Sequence, residues 1–150
     1  MVKVVPMHDR PVEFRRGKFV VSTDRRTLVL DDVLALLVTT FWAAAMPSEV
    51  LARAMDNSVC FGIWHQALLV GFGRVITDLS THAYWTDVVV AHTYRGRGLG
   101  RWLGECMLEH PELQGLRRVS LLTRDAASLY SGLGFGTDLA GLIYMERRGN

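Results

Sequence analysis

The chain has 150 residues, of which 49% are hydrophobic, and it carries a formal net charge of +2 with a pI near 8.7. This length and composition indicate one compact domain, residues 1–150, with a sizeable core. So small a positive charge argues against nucleic acid as a partner.

The chain carries no signal for a membrane or for secretion. Residues 1–18 lack the apolar core of a signal peptide. The longest apolar stretch, residues 33–46, contains Thr39 and Thr40 and is shorter than the ~20 residues that a bilayer requires. Cys60 and Cys106 lie in apolar runs, which is typical of buried thiols in a reducing compartment. We therefore expect a cytoplasmic protein with no membrane partner.

The first third of the chain predicts one strand and two helices. Residues 1–18 show no clear period and predict either a flexible lead-in or an extra edge strand, and residues 19–21 predict a first strand. Asp31 or Asp32 is suited to cap a helix that carries an apolar stripe. The stripe consists of Leu34, Leu37, Val38, Phe41, Trp42 and Ala45. Pro47 suits the first position of a second helix that ends near residue 56.

Three strands follow at residues 59–65, 68–77 and 83–91, and their short links predict an antiparallel meander. A helix from residue 99 to the turn before Pro111 comes next. A strand at 119–123, a short helix at 126–133 and a last strand at 142–146 complete the chain. Together these elements predict an α/β fold with a mixed sheet.

Residues 86–100 place a glycine-rich basic turn between a strand and a helix. Three valines predict a buried strand, and from Leu99 the apolar residues fall at helical spacing. Glycines at a helix N-terminus let backbone N–H groups approach an anion, and arginines add charge that suits phosphate. The stretch therefore predicts a site for a pyrophosphate.

Other phosphate-binding patterns do not fit this turn. A dinucleotide fingerprint needs a third glycine, but Arg101 or Leu103 stands at that position, and the Gly-Lys-Ser/Thr end of a P-loop is absent. The spacing Arg95-x-x-Gly98-x-Gly100 resembles instead the acetyl-CoA-binding motif of the GNAT (Gcn5-related) N-acetyltransferases.

The resemblance extends over roughly residues 19–145. Residues 87–100 resemble the family's fourth strand and third helix, and residues 61–62 and 70–72 its second and third strands. Residues 125–135 resemble its second motif, which contains Leu-Tyr and ends in Gly-Phe. The chain is thus identified as a small, single-domain, bacterial-type member. The resemblance implies the GNAT fold, a mixed and mainly antiparallel sheet flanked by helices.

It also implies transfer of an acetyl group from acetyl-CoA to a primary amine by direct attack, without a metal. Backbone N–H groups of the turn would hold the pyrophosphate, and one in the preceding strand would polarise the thioester. The cofactor-binding residues expected are Val88, Val89, Val90, Arg95, Gly96, Arg97, Gly98, Leu99, Gly100, Arg101, Asp125 and Tyr130. Asp125 stands where many relatives carry an asparagine, and capping of the short helix is its alternative role.

Two residues are candidates for proton transfer. Tyr130 matches the tyrosine that many GNAT members use to protonate the leaving thiolate, and a packing aromatic is the alternative. Asp87, a carboxylate among Val, Tyr and Trp, is the candidate base. Alternatively, Asp87 could bind the ammonium group of the substrate, relay a proton through water or form a salt bridge.

The acceptor pocket is expected between the first helices and the middle strands. Its candidate residues are Phe41, Trp42, Arg74, Tyr84 and Trp85. They favour a small-molecule amine as acceptor, and a protein or peptide amine is a second reading. A third is an acyl-CoA-binding sensor or interaction module without turnover. The histidines have no metal-ligand spacing, and the resemblance allows a homodimer.

Overall fold

The computed structural model describes residues 10–149, which form one six-stranded sheet with helices on both faces. The strands are β1 (Glu13–Arg16), β2 (Phe19–Ser22), β3 (Val59–His65), β4 (Leu68–Thr77), β5 (His82–Val90) and β6 (Arg118–Leu121). The helices are α1 (Leu30–Leu37), α2 (Ser48–Asp56), α3 (Leu99–Glu109) and α4 (Ala127–Ser131). The strands lie in chain order, with β1 to β5 antiparallel and β6 parallel to β5. The predicted mixed, mainly antiparallel sheet is confirmed.

The N-terminal segment contributes an edge strand. β1 pairs with β2 through a tight hairpin whose turn residue Gly17 has φ +58°. Of the two alternatives for residues 1–18, the extra edge strand is therefore correct for residues 13–16. Residues 1–9 lie outside the described part of the chain.

The first helix is shorter than its apolar stripe predicted. α1 ends at Leu37, and the hydroxyl groups of Thr39 and Thr40 donate to the carbonyl groups of Leu36 and Leu37, both at 2.7 Å. These bonds satisfy carbonyl groups at the helix end, and the chain continues in turns to residue 45. Neither aspartate is the N-cap, because Val29 occupies that position and Asp31 and Asp32 lie in the first turn. The negative ends of their side chains still suit that turn.

The sheet separates two apolar clusters. One packs β-strand side chains against α3 and includes Phe61, Trp85 and Leu103, and the other packs them against α1 and α2 and includes Phe72 and Val89. Each cysteine lies in one cluster, where burial raises the pKa of both thiols to about 12. Such thiols stay protonated, so neither is a nucleophile at neutral pH.

The predicted last strand does not form. Residues 142–149 carry no strand, and Ile143 and Met145 are 84% and 87% exposed. A strand requires a neighbour that pairs with its backbone, and a turn at residues 139–142 leads the segment away without one. In the described residues the sheet therefore ends at β6.

Two further features are absent from residues 10–149. No helix there combines the length and the apolar character needed to cross a bilayer. No group of three or more metal-ligating side chains occurs there either.

His110, which follows α3, is the one polar side chain among the largest fully buried residues of the described chain. Its Nδ1 accepts a hydrogen bond from the Glu112 N–H at 3.1 Å, so the proton of the neutral ring is on Nε2, which has no described partner. Burial lowers the pKa of His110. Protonation at Nδ1 would break the bond to Glu112 and place a charge in the core.

We expect His110 to make stability fall in mild acid. The unfolded histidine titrates near ~6.5, so below that pH the unfolded chain binds a proton that the folded chain resists, and acid favours unfolding. Urea denaturation at pH 7.5 and pH 5.5 measures the loss. His110→Asn keeps an acceptor for Glu112 and should reduce the loss, whereas exposed His92→Asn should leave it unchanged. An equal loss in all three proteins would contradict this explanation.

Candidate active site

The glycine turn, residues 95–100, joins β5 to α3. Gly96 and Gly98 adopt φ +76° and +75°, a left-handed conformation that costs other residues about 1–2 kcal/mol. Gly98 is the N-cap of α3, and no side chain caps the helix. The first N–H groups of α3 are thus left to face an incoming group at the positive end of the helix dipole.

The arginines of this region are placed differently from one another. Arg95 donates through Nε to the Val90 carbonyl at 3.1 Å, and the Arg97 guanidinium lies 4.9 Å from the centre of the Tyr94 ring. Both therefore stay at the glycine turn. Arg101 instead pairs with Glu105 at 3.2 Å and donates to the Gly132 carbonyl at 3.4 Å, next to α4.

The hairpin between β1 and β2 also reaches the glycine turn, which the sequence did not reveal. A terminal nitrogen of Arg16 lies 3.5 Å from the point where a Cβ on Gly98 would be. Together with the end of β3, the two segments line a cavity of about 370 Å³, with Arg16, Gly17, Lys18, Phe19, His65, Arg97 and Leu99 on its wall. Three cations line it, so it suits an anion. The two segments are about eighty residues apart, and only folding brings them together.

The second half of β5 has an open edge, residues 86–90. β5 and β6 pair from His82↔Arg118 to Trp85↔Leu121, where β6 ends. Beyond Trp85, β5 keeps β4 on one side and has no described strand on the other. Val88, Val89 and Val90 lie on this open edge, which leads directly into the glycine turn. An extended ligand can lie there and pair with the free backbone groups.

A bulge in β5 lies at the start of the open edge. Thr86 pairs with Arg74 and Val89 with Phe72, so two β5 residues, Asp87 and Val88, face the single β4 residue between those pairs. Asp87 has φ +56°, which is rare in a residue other than glycine and is tolerated best by Asn and Asp. The extra residue also reverses the alternation of side chains, so Trp85 and Val89 enter different clusters.

Asp87 forms a buried ion pair with Arg74. Arg74 Nε donates to Asp87 Oδ2 at 2.9 Å, and the two residues are 8% and 4% exposed. The Nη1 atom of Arg74 donates to Ser58 Oγ at 3.0 Å, and Ser58 donates to the Ala54 carbonyl at the end of α2 at 2.6 Å. Arg74 was predicted at the edge of the acceptor pocket, but its guanidinium is bound to Asp87. Of the alternatives for Asp87, the structure shows the salt bridge.

Tyr130 lies in α4, where its half-buried ring packs edge-on against Trp85 and Phe135 at 6.4 and 5.9 Å. Burial raises the pKa of this phenol, which keeps it protonated, as a general acid must be.

Asp125 is exposed and does not cap α4. The N-cap is Ala126, whose N–H donates to Thr123 Oγ1. The capping alternative for Asp125 is therefore wrong.

Comparison with known proteins identifies the family of the chain. Residues 56–137 match the family model of an acetyltransferase (GNAT) domain. A candidate acetyltransferase of Gibberella zeae is 34% identical over 163 residues, which cover 91% of this chain and 86% of that protein. The chain belongs to the GNAT acetyltransferase family.

Two further relatives extend this result. The crystal structure of a candidate GNAT acetyltransferase from Xanthomonas campestris superposes with a TM-score of 0.84 at 40% identity, covering 90% of this chain and 96% of that one. N-alpha-acetyltransferase 80 of Mus musculus is 41% identical over 85 residues, 54% of this chain and 27% of that protein. The strand that the GNAT resemblance numbers fourth is β5 here, because the β1–β2 hairpin adds a strand.

In this GNAT domain the acceptor candidates divide between the two faces of the sheet. Tyr84, Arg74 and Asp87 share the face covered by α1 and α2, whereas Trp85 lies in the core on the α3 face and is 3% exposed. The geometry therefore does not place Trp85 toward an acceptor on the α1–α2 face. Burial, together with nearby Tyr144 and Glu146, raises the pKa of Tyr84.

Phe41 and Trp42, predicted on a helix, lie instead in the exposed linker between α1 and α2. Their rings meet edge to face at 5.1 Å, and the Arg124 guanidinium lies 3.5 Å from the centre of the Phe41 ring. Arg124 belongs to the loop between β6 and α4. This contact thus joins the linker between α1 and α2 to the loop between β6 and α4.

We expect Arg74→Met to destabilise the domain by about 3–5 kcal/mol, because it leaves the Asp87 carboxylate buried without its partner. The double variant Arg74→Met/Asp87→Asn removes both charges and should recover most of that loss. Arg25→Met removes a more exposed pair with Asp56, together with a hydrogen bond to the Leu28 carbonyl, and should cost less, about 1 kcal/mol. Urea denaturation measures all three, and an Arg74→Met loss below that of Arg25→Met would contradict the reading.

Proposed function

We propose that the chain transfers the acetyl group of acetyl-CoA to a primary amine of a small molecule, in a ternary complex of enzyme, cofactor and amine. One observation carries the proposal: the open edge of β5 leads directly into an uncapped helix N-terminus with glycines and two arginines, Arg95 and Arg97. An extended amide-containing arm that ends in a pyrophosphate has this shape and this order of chemical groups.

The cofactor would be held at two points. The N–H groups of the glycine turn suit the pyrophosphate, and Arg95, Arg97 and Arg16 supply positive charge around it. The pantetheine arm would lie along residues 86–90 and pair with free backbone groups. Holding the thioester in this way reduces the entropy cost of bringing it to the amine.

The proposed reaction forms a C–N bond and breaks a C–S bond. The amine attacks the thioester carbonyl, whose oxygen a backbone N–H of Val88, Val89 or Val90 would polarise. When the tetrahedral intermediate collapses, Tyr130 gives its proton to the departing thiolate. The amine proton goes to a base, for which Asp87 and a water chain are the candidates. The Arg74 ion pair favours the water chain, because it already compensates the carboxylate.

A protein N-terminal amine is the second candidate acceptor. It is favoured by the mouse relative, whose name describes an N-alpha-acetyltransferase and whose identity to this chain is 41% over the shared 85 residues. A sensor that binds acyl-CoA without turnover is the third candidate.

The test combines calorimetric binding of acetyl-CoA with free-thiol release across small amines and short peptides. Thiol release with small amines supports the proposal, and release with peptides alone moves the acceptor to proteins. Binding without release from any amine supports the sensor, and no binding rejects all three.

Gly98→Ala should weaken acetyl-CoA binding at least tenfold, because a Cβ at the helix N-cap would occupy the approach of the pyrophosphate. In the unliganded protein that Cβ lies no closer than 3.5 Å to a flexible arginine, so only the left-handed backbone is penalised, by about 1–2 kcal/mol. Gly115→Ala, at φ +71° in open space, is the matched control. It should lose similar stability and keep its affinity, as calorimetry and urea denaturation can show. Equal affinities of both variants for acetyl-CoA would show that the glycine turn does not bind the pyrophosphate.

Tyr130→Phe should lower kcat about a hundredfold or more and leave the Kd of acetyl-CoA nearly unchanged, since it removes only the proton donor. Because burial raises the pKa of Tyr130, wild-type kcat should show no alkaline decline from this group below pH ~10. Steady-state kinetics from pH 6 to 10 measure both effects, with Tyr144→Phe in the exposed tail as control. A kcat equal to that of the control would remove Tyr130 from the reaction.

A further inference from the structure

The bulge in β5 is held by side chains, not by its own backbone preference. Asp87 adopts φ +56° inside a strand, a conformation that most residues avoid. Its carboxylate is fixed by Arg74 at 2.9 Å, and both groups are almost completely buried. A bulge that depends on a left-handed aspartate needs such a contact to stay in one geometry.

Arg74 is itself fixed from its other end. Its two bonding nitrogens point to different partners, Nε to Asp87 and Nη1 to Ser58. Ser58 follows α2 and donates to the Ala54 carbonyl of the last helical turn. A continuous chain of three hydrogen bonds therefore runs from the end of α2 to the bulge, and the rigid, planar guanidinium of Arg74 makes two of them.

The location of this chain connects it with the reaction. Asp87 immediately precedes Val88, Val89 and Val90, whose backbone forms the open edge. The bulge determines where β5 leaves the plane shared with β6 and which way the next N–H groups point.

We propose that Arg74 is a positioning residue of the acyl-transfer site: through Asp87 it sets the bulge that orients the open edge of β5, and through Ser58 it ties the bulge to α2. Asp87 then acts on the reaction through its backbone and does not take the proton of the amine. The functional part of this inference rests on the proposed acetyl transfer. The geometric part concerns the unliganded protein.

The decisive variant is Arg74→Met/Asp87→Asn, which removes the ion pair without leaving a buried charge and keeps a residue that tolerates the left-handed conformation. Arg25→Met/Asp56→Asn removes another Arg–Asp pair at the end of α2 that does not touch β5, and serves as matched control. The first readout is amide hydrogen exchange of residues 86–90 in the unliganded proteins. We expect at least tenfold faster exchange in the first variant and no change in the control.

The second readout is calorimetric binding of acetyl-CoA. We expect at least a tenfold higher Kd in Arg74→Met/Asp87→Asn and a change within twofold in the control. Wild-type exchange rates together with wild-type affinity in the folded double variant would overturn the proposal. If wild type binds no acetyl-CoA, the proposed function fails, and the exchange readout still decides whether Arg74 holds the bulge.

Asp87→Asn alone separates positioning from base catalysis. Asparagine can still accept from Arg74 and adopt the left-handed conformation, but it cannot take a proton. Because it also leaves the buried Arg74 cation without a counter-charge, urea denaturation first establishes that the variant is folded. The proposal predicts a kcat within about threefold of wild type and an unchanged acidic limb in its pH profile. A kcat reduced a hundredfold, with the acidic limb lost and the Kd of acetyl-CoA unchanged, would make Asp87 the base and overturn the positioning role.

Discussion

The structure depends on one extra residue in β5. The bulge at Asp87 and Val88 reverses the alternation of side chains, so Trp85 enters the cluster under α3 and Val89 the cluster under α1 and α2. A β5 without it would send one of these apolar side chains to the wrong cluster and carry no bend at the point where β6 ends. The core and the open edge therefore require the same local irregularity.

This irregularity explains a polar network in an otherwise apolar layer. Arg74, Asp87 and Ser58 lie on the sheet face that buries Phe72 and Val89. A buried ion pair is seldom the most stable solution for a core, since desolvation offsets much of its attraction. Its directional bonds, however, favour one backbone geometry, and the proposed acetyl transfer would require a single geometry at the site.

The sequence predicted the elements whose signal is local. The meander β3–β4–β5 and the glycine turn were predicted to within one or two residues, because β-branched runs, Gly and Pro act over short distances. The apolar stripe predicted a helix that continues through Phe41 and Trp42, and this prediction was wrong. α1 ends at Leu37, where the hydroxyl groups of Thr39 and Thr40 bond to the last carbonyl groups of the helix. The strand expected at residues 142–146 lacks a partner to pair with. The contact of Arg16 with Gly98 joins segments far apart in the chain, which no local pattern encodes. The partner of Asp87 depends on the register of β4 against β5, which the sequence pattern did not define.

The order in which the strands pair also bears on how the site is assembled during folding. β3, β4 and β5 are joined by short links, whereas β6 reaches β5 only after the crossover through α3, and β2 pairs with β3 across the segment that contains α1 and α2. Closing a longer loop costs more chain entropy, and contacts between distant segments tend to form later. The meander and the glycine turn can thus form before the side contributed by β6 and α4. A chain still emerging from the ribosome would carry the glycine turn before β6 and α4 take their places beside β5.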